Sequence, residues 1–181
     1  MSRLTDSPEP TTQRVSPIGR RDPQTALPDG RRSSPPNIVG VEITEIGNII
    51  TRSGWMAEVF RTDWHGQEVA VQQVNYAVLN PHGVTDWHCH QVQNDRLIGL
   101  SGAIKLCLWD GRPSSPSRDK IDIIRFGAVR PLLVKVPNGV WHALRNESGE
   151  PAAYLNVADQ VYVHERPDNW RASATDLPDI L

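Results

Sequence analysis

The sequence predicts an all-β domain, a barrel or sandwich in which the jelly roll is the favoured arrangement, behind a proline-rich arm. From Ile38 onward, short runs rich in β-branched residues show the partial two-residue alternation of half-buried strands. Turn sequences such as NPHG, DGRPSSPS, PNG and NESGEP separate these runs. No stretch longer than about ten residues repeats its apolar side chains with the period of a helix. Many short strands in this pattern are typical of an all-β barrel or sandwich.

The predicted strands follow one another at intervals of about 8–15 residues. They lie within residues 38–46, 57–64, 68–79, 95–110, 120–126, 130–136 and 152–163. A barrel of this size has room for one small ligand in its mouth. We therefore predict a single β domain over residues 38–181.

Residues 1–37 have a different composition. They contain seven of the fifteen prolines and almost no apolar periodicity, and they end in the run RRSSPPN. Such a segment cannot bury enough apolar surface to offset the entropy lost on ordering. We predict a disordered N-terminal arm, either a passive tail or a segment that binds a partner.

Composition excludes several classes of partner. The chain has 181 residues, a length that suits one domain with a hydrophobic core, and a formal net charge of −2. This charge gives no reason to expect nucleic acid or an anionic membrane as partner. No apolar run approaches the ~20 residues of a membrane span, and the N-terminus lacks a secretory signal. With only two cysteines, we expect a reduced, cytoplasmic protein.

Two histidines alternate with other residues in the stretch GVTDWHCHQVQNDRLIGLSG. In a strand, residues two apart face the same side of the sheet, so His88 and His90 project together and Trp87 and Cys89 face away. An acid, Asp95, follows five residues later. This spacing predicts either a metal site or a group that moves protons on a substrate.

A second stretch, VPNGVWHALRN, carries Pro137, Gly139, His142 and Asn146. The Pro-Asn-Gly turn needs Gly139 for a backbone conformation that other residues resist. The turn therefore delivers His142 onto the following strand.

Together the two stretches resemble the paired motifs of the cupin superfamily. The resemblance covers residues from about 40 to 165 and implies a cupin-type jelly-roll barrel. Three imidazoles and a carboxylate suit one divalent transition metal such as iron, manganese, zinc or nickel. The metal ligands would be His88, His90, Asp95 and His142.

The chain is also similar to one branch of the cupins, the dTDP-4-dehydrorhamnose 3,5-epimerase family, over nearly all of residues 38–181. The resemblance rests on the stretches IVGVEITEIGNIITRSGWMAEVFRTDW, VQQVNYAVLNPHGVTDWHCH, LSGAIKLCLWDGRPSSPS, and VPNGVWHALRN with VYVHERPDNW. It implies an epimerase of a nucleotide-linked 4-keto-6-deoxy sugar, with neither metal nor organic cofactor. It also implies a homodimer and a place in dTDP-rhamnose biosynthesis.

The resemblance assigns catalytic roles to particular residues. In this reaction a base removes the proton beside a ketone, donors stabilise the enolate oxygen, and a second group returns a proton on the opposite face. His88 matches the family's base. Asp176 matches the carboxylate that supports the base, with Asp179 as the alternative. Tyr154 matches the tyrosine that donates or returns the proton.

Further residues match positions around the substrate. His142 matches a second active-site histidine, and Arg96 stands near the position of the family's lysine beside the oxyanion. Gln72 and Asn75 match positions that line the sugar pocket. Trp170 is expected to pack near the nucleotide base.

The sequence departs from the family where an arginine followed by glycine holds the substrate phosphate. Thr85 and Asp86 occupy those positions here. An acid near a pyrophosphate is unfavourable. Either another cation binds the phosphate, with Arg52, Arg61 and Arg125 as candidates, or the substrate differs.

Two alternative functions stay open at this stage. One is a metal-dependent cupin enzyme, a dioxygenase or isomerase of a small molecule, that uses the four-ligand set. The other is a non-catalytic sugar-binding cupin, which the loss of arginine at Thr85 favours.

Overall fold

The computed structural model describes residues 23–64 and 70–181. Within these ranges the chain forms β-strands and short turns, with a single-turn 3-10 helix at Ala174–Asp176. The strands are β1 (Glu42–Glu45), β2 (Ile49–Thr51), β3 (Gly54–Met56), β4 (Gln73–Leu79), β5 (His88–Cys89), β6 (Asp95–Gly99), β7 (Ala103–Asp110), β8 (Ile121–Gly127), β9 (Leu132–Val136), β10 (Val140–Asn146), β11 (Ala152–Ala158) and β12 (Trp170–Arg171).

Two five-stranded antiparallel sheets form the jelly roll. The first sheet has the order β1-β9-β6-β11-β4, and the second has the order β12-β5-β10-β7-β8. Strands β2 and β3 form a separate hairpin. This arrangement confirms the predicted all-β, cupin-like fold.

The main hydrophobic core lies between the two sheets because alternate residues of each strand face inward. Leu97 and Val134 of the first sheet pack with Leu106, Ile124 and Leu144 of the second sheet. Burial of such side chains supplies most of the free energy that stabilises a β domain of this kind.

A segment without strand structure covers part of the outer face of each sheet. On the first sheet, Val59, Phe60 and Trp64 pack against Ile98 and Leu133. The predicted strand at 57–64 is therefore wrong, because its apolar residues cover a sheet and do not pair with one. On the second sheet, the C-terminal Leu177, Ile180 and Leu181 pack against a cluster that contains Trp87, Cys107 and Ala143.

The chain divides into two compact units, residues 1–34 and 35–181. Residues 1–22 of the predicted arm lie outside the described residues. The remainder of the first unit contains a turn in which Ala26 and Arg32 form an isolated β-bridge. In the part of the chain that the structure describes, no helix is long and apolar enough to cross a bilayer.

Candidate active site

The inner faces of both sheets contribute to a cluster of three histidines and one aspartate. His88 in β5 lies directly across from His142 in β10, so both imidazoles face inward beside each other, with ring centroids 4.1 Å apart. His90 lies just beyond β5 on the same side as His88. Asp95 begins β6 of the facing sheet. The ligand atoms of all four side chains lie within 4.8 Å of one another.

The Pro-Asn-Gly turn positions His142 as the sequence predicts. Gly139 adopts a φ of 78°, and a Cβ there would lie 2.9 Å from Arg112. The backbone N–H of Gly139 also donates to the carbonyl of His90. The two motif stretches are thus joined directly at the turn.

Asp95 is the centre of the cluster. Its Oδ2 lies 3.2 Å from Nε2 of His90 and 3.2 Å from Nε2 of His142. Its Oδ1 accepts hydrogen bonds from the side-chain amides of Gln93 and Asn156. The side chain is 2% exposed, so this carboxylate is held entirely by protein groups.

Hydrogen bonds from the other ring nitrogens fix the tautomers of the three histidines. Nδ1 of His88 lies 3.0 Å from the carbonyl of Asp86, and Nδ1 of His142 lies 3.1 Å from that of Val140. Nδ1 of His90 contacts the carbonyl of Asp168. A carbonyl oxygen only accepts, so each Nδ1 carries the hydrogen.

These tautomers require positive charge in the cluster. A neutral imidazole has one N–H, which is already used at Nδ1, so its Nε2 carries a lone pair. The lone pairs of His90 and His142 would then face a carboxylate oxygen that also only accepts. The contacts become favourable when both rings are protonated or when a metal ion is shared between the atoms.

The pKa of His88 is shifted in the opposite direction from that of His90. Burial, together with the proximity of His142 and His90, lowers the pKa of His88 to about 3, so this ring is neutral at ordinary pH. Burial would also lower the pKa of His90, but the hydrogen bond and charge of Asp95 raise it. Burial would raise the pKa of Asp95, yet hydrogen bonds from the two histidines hold it well below its usual range.

A cavity of about 670 Å³ opens onto the cluster. Its lining is rich in side-chain amides, which can donate and accept hydrogen bonds to hydroxyl groups. Among the described residues of the lining, Arg166 is the one arginine or lysine. The lining includes Gln73, Asn75, His88, His90, Asn156, Arg166, Asp168, Asn169 and Trp170.

Comparison with known proteins identifies relatives of this chain. No family model matches it. It is 29% identical over 137 residues to the probable low-salt glycan biosynthesis epimerase Agl13 of Haloferax volcanii, which covers 75% of this chain and 88% of that protein. The structure of ChmJ, a 3'-monoepimerase from Streptomyces bikiniensis in complex with dTDP-quinovose, matches with a TM-score of 0.70 and 21% identity over 81% of this chain and 79% of ChmJ.

A third match comes from dTDP-4-dehydrorhamnose 3,5-epimerase of Bacillus anthracis, with a TM-score of 0.65 and 16% identity over 74% of this chain and 82% of that one. The predicted likeness to the dTDP-4-dehydrorhamnose 3,5-epimerase family is confirmed. The residues that the resemblance singled out can therefore be located on this jelly-roll fold.

Tyr154 comes from the sheet that faces His88. It lies in β11, two residues before Asn156, and its ring packs against the inner core. Burial and the charge of Asp95 raise the pKa of its phenol, which is therefore protonated at neutral pH. The structure thus places the predicted base and the predicted acid of the epimerase family on inner faces of opposite sheets.

One of the two predicted sugar-pocket residues, Asn75, lines the cavity, and the other, Gln72, does not. Asn75 lines the cavity, and Gln73 lines it beside Asn75, with its Nε2 2.8 Å from Oδ1 of Asn75. Gln72 precedes β4 and is exposed, and its backbone N–H donates to Ala158. Within the described lining, Gln73 takes the place expected for Gln72. Trp170 lines the cavity and is half exposed.

Arg96 does not reach the cluster. Asp95 faces inward, so Arg96 faces the outer side of the sheet, as Ile98 does. Its Nη1 lies 4.0 Å from Oδ2 of Asp159. The placement beside the oxyanion is therefore wrong, because strand alternation turns neighbouring side chains to opposite faces.

Asp176 is not brought to His88. It is exposed in the 3-10 turn, and the next residue, Leu177, packs with Trp87 on the outer face of the second sheet. Asp179 is also exposed in this tail. The acid of the C-terminal segment that meets the cluster is Asp168, through its backbone carbonyl.

The two residues that replace the family's Arg-Gly pair have structural roles. The hydroxyl of Thr85 accepts a hydrogen bond from the backbone of Leu144. The carboxylate of Asp86 is exposed and lies 3.2 Å from Arg171. Neither residue is part of the described cavity lining.

Sequence reasoning missed Gln73, Asn156 and Asp168. Asn156 and Asp168 reach the cluster across 61 and 78 residues of chain, respectively. No local pattern marks such contacts. Gln73 could have been found from the alternation of β4, because it shares the inner face with Asn75.

Proposed function

We propose that this protein is an epimerase that inverts a carbon atom beside the ketone of a nucleotide-activated sugar. The similarity to a probable glycan biosynthesis epimerase and the fold shared with dTDP-sugar epimerases support this function. The observation that carries it is the position of the His88 imidazole, which lines the cavity and lies beside His142, with ring centroids 4.1 Å apart.

The proposed chemistry uses His88 together with His90. His88 takes the proton from the carbon beside the ketone through its Nε2, because its Nδ1 is held by the carbonyl of Asp86. The electron pair of the broken C–H bond moves onto the ketone oxygen, and His90, whose pKa the neighbouring Asp95 raises, stabilises the resulting enolate.

Tyr154 completes the proposed inversion. Its phenol is protonated at neutral pH and comes from the sheet opposite His88. It gives its proton to the carbon from the other side, and solvent restores both groups to their starting protonation states. The amides of Gln73, Asn75 and Asn156 hold the sugar hydroxyl groups during these steps.

We further propose a dTDP-linked 4-keto-6-deoxy sugar as substrate, in rhamnose-type sugar biosynthesis. Two structures of similar fold were solved with dTDP-quinovose or with TDP and pyrophosphate. Arg166 at the cavity is the proposed partner of the diphosphate, since the described lining contains none of the three arginines expected from the sequence, Arg52, Arg61 and Arg125. A homodimer and a cytoplasmic location are also proposed; the buried free thiols of Cys89 and Cys107 fit a reducing compartment.

The test is hydrogen exchange in heavy water. Purified protein is incubated with dTDP-4-keto-6-deoxyglucose, and deuterium at each ring carbon is followed by NMR and mass spectrometry. The expected result is deuterium beside the ketone together with an epimerised product. His88→Ala should abolish both, whereas His82→Asn, a change at an exposed turn with a φ of 56°, should leave both unchanged.

The same experiment distinguishes an epimerase from a non-catalytic sugar-binding cupin. A parent protein that binds the sugar nucleotide but exchanges no proton would show that the protein is a non-catalytic sugar-binding cupin. Exchange that persists at the parental rate in His88→Ala would remove His88 from the role of base.

A second candidate is a metal-dependent cupin, a dioxygenase or isomerase, and the tautomers of the cluster favour it. Three imidazoles have Nδ1 at backbone carbonyls, and two of them, His90 and His142, have Nε2 3.2 Å from the carboxylate of Asp95. With their ligand atoms within 4.8 Å of one another, the four side chains form a donor set that fits a divalent transition metal. When bound, such a metal polarises a carbonyl oxygen. In that case His88 is a ligand and does not take the proton.

The metal content of the purified protein decides between the metal-free epimerase and the metal-dependent cupin enzyme. Protein prepared without chelator or metal-affinity resin is analysed for iron, manganese, nickel and zinc. About one equivalent per chain in the parent, lost in His90→Ala, would support the metal-dependent candidate. Metal-free protein that still exchanges substrate protons would support the metal-free epimerase and leave His88 as its base.

A further inference from the structure

The turn between His90 and Asp95 is held from outside by two carboxylates of a distant segment. Asp168 accepts three successive backbone N–H groups with its carboxylate, from Gln91 at 2.8 Å, Val92 at 2.8 Å and Gln93 at 3.1 Å. Hydrogen bonds from backbone N–H groups to a carboxylate are stronger than those to a neutral acceptor.

Asp159 continues the same arrangement by one residue. Its Oδ1 accepts the backbone N–H of Asn94 at 2.8 Å, and its Oδ2 accepts the side-chain amide of Asn94 at 2.7 Å. Every backbone N–H from residue 91 to residue 94 is therefore bound to one of these two side chains. We refer to Asp159 and Asp168 together as the carboxylate clamp.

The clamp acts on two members of the cluster at once. His90 precedes the clamped turn and Asp95 follows it, so the conformation of the turn sets the separation of their side chains. The carbonyl of Asp168 also accepts from Nδ1 of His90, which fixes the orientation of that ring. One residue thus holds both the backbone and the imidazole of the same motif.

The clamp also joins the cluster to the cavity wall. Asp168 is followed by Asn169 and Trp170, which line the cavity, and Trp170 pairs with Cys89 in β5. The side-chain Oδ1 of Asn169 is buried without a hydrogen bond in the described structure. A displacement of this segment would therefore alter the wall and the histidine cluster together.

We propose that Asp159 and Asp168 are positioning residues that hold His90 and Asp95 in register for proton transfer on the sugar. The expected effect of the clamp on the catalytic rate rests on the proposed function. Its expected effect on the backbone of residues 91–94 rests on the structure alone. Neither carboxylate needs to touch the substrate to act in this way. Loss of the groups that orient metal-ligating side chains typically costs about 10–100-fold in metal affinity or activity, and we expect a loss of similar size for groups that orient this cluster.

The test compares Asp168→Ala and Asp168→Asn with the control Asp119→Asn, an exposed acid in a turn before β8 that tolerates the change because its φ is 63°. In Asp168→Ala, the amides of Gln91, Val92 and Gln93 should exchange with heavy water at least about tenfold faster. The NMR signals of the His90 ring should show a changed tautomer ratio. Asp168→Asn keeps one acceptor oxygen and should show smaller changes.

Turnover supplies the second measurement. The kcat for deuterium incorporation should fall about 10–100-fold in Asp168→Ala, with KM less affected, and Asp168→Asn should recover part of the rate. Unchanged amide exchange in Asp168→Ala, or faster exchange with an unchanged kcat, would overturn the proposal. If the parent itself incorporates no deuterium, the proposed function fails, and the amide and His90 signals alone decide whether the clamp exists.

Discussion

Asp95 and Arg96 are neighbours in β6, and their side chains lie on opposite faces of the sheet. Asp95 faces the cavity side, where it contacts His90 and His142. Arg96 faces the outer side, where its guanidinium lies near Asp159. Two charged residues that appear equivalent in the sequence therefore belong to different environments.

This separation predicts different consequences for conservative substitutions at the two positions. Asp95→Asn removes the negative charge that holds His90 and His142, so proton exchange on the keto-sugar should fall about 10–100-fold or more. Arg96→Gln leaves the cavity intact and should change the exchange rate less than about threefold while lowering stability, since it takes a buried cation away from the partly buried Asp159. The exchange rates of both variants are measured by NMR, and their free energies of unfolding by urea denaturation. Equal losses of exchange rate in the two variants would contradict the placement of Asp95 and Arg96 on opposite faces of the sheet.

Tyr154 provides a test of the direction of proton transfer. Tyr154→Phe keeps the ring that packs against the inner core but removes the phenol proton. Epimerised product should fall by about 10²–10⁴-fold, the usual contribution of a general acid, while removal of the first proton by His88 continues. Deuterium should then enter the starting sugar without inversion. Metal content, if any, should equal that of the parent, and full product formation in this variant would exclude Tyr154 as the acid.

Strand alternation and turn chemistry account for what the sequence predicted well. The two-residue spacing of His88 and His90 predicted that they project together, and the Pro-Asn-Gly turn predicted that His142 joins a neighbouring strand; the structure brings all three together. These are local rules, which hold because a strand's geometry fixes the side of each residue.

The remaining parts of the site depend on long-range packing. Asp168 reaches Gln91 across 77 residues, and nothing in the local sequence around either residue indicates that contact. The C-terminal tail was expected to bring Asp176 to the site, but the apolar Leu177 packs on the outer face of a sheet and takes the tail there. Tertiary burial of apolar residues thus overrode the position inferred from resemblance.

The turn after β7 gives a prediction for acid stability. Asp110 is buried there, and burial alone would raise its pKa, but hydrogen bonds from neighbouring side chains hold the pKa well below its usual value of 3.8. These donors are Arg112, Ser115 and Ser117. Because the pKa is lower in the folded state, the group stabilises the fold above pH 3.8, and this contribution is lost as the pH falls through the folded-state pKa.

Asp110→Asn should therefore reduce the free energy of unfolding at neutral pH and flatten its decline in acid. Urea denaturation at several pH values from about 6 down to about 2.5 measures this difference. Asp119→Asn, at a more exposed position in the same loop, should follow the parent curve. Parallel curves for Asp110→Asn and the parent would show that Asp110 titrates alike in both states.

The outer side of β4 predicts the oligomeric state. Val74, Tyr76 and Val78 project from the same side of this edge strand and are more than half exposed. A contiguous apolar stripe on an edge strand is the kind of surface that a second copy covers in a dimer. Sedimentation equilibrium should give a dimer for the parent and a monomer for Tyr76→Glu. A monomeric parent would contradict the proposed homodimer.

Arg166 predicts how the nucleotide is held. It is the one arginine or lysine in the described lining of the cavity, and Thr85 stands where the resemblance led us to expect a phosphate-binding arginine. Arg166→Gln should weaken binding of dTDP about tenfold, because a hydrogen bond to a charged group contributes about 1.5–3 kcal/mol and each 1.4 kcal/mol corresponds to a factor of about ten. Calorimetry at two salt concentrations measures this loss.

The matched control is Arg118→Gln, which removes an exposed arginine from the loop between β7 and β8. It should bind dTDP as the parent does, with the same dependence on salt. In Arg166→Gln the dependence on salt should decrease, because one fewer cation meets the diphosphate. Undiminished binding in Arg166→Gln, with deuterium exchange on the sugar intact, would mean that the diphosphate is held elsewhere while the epimerase chemistry stands.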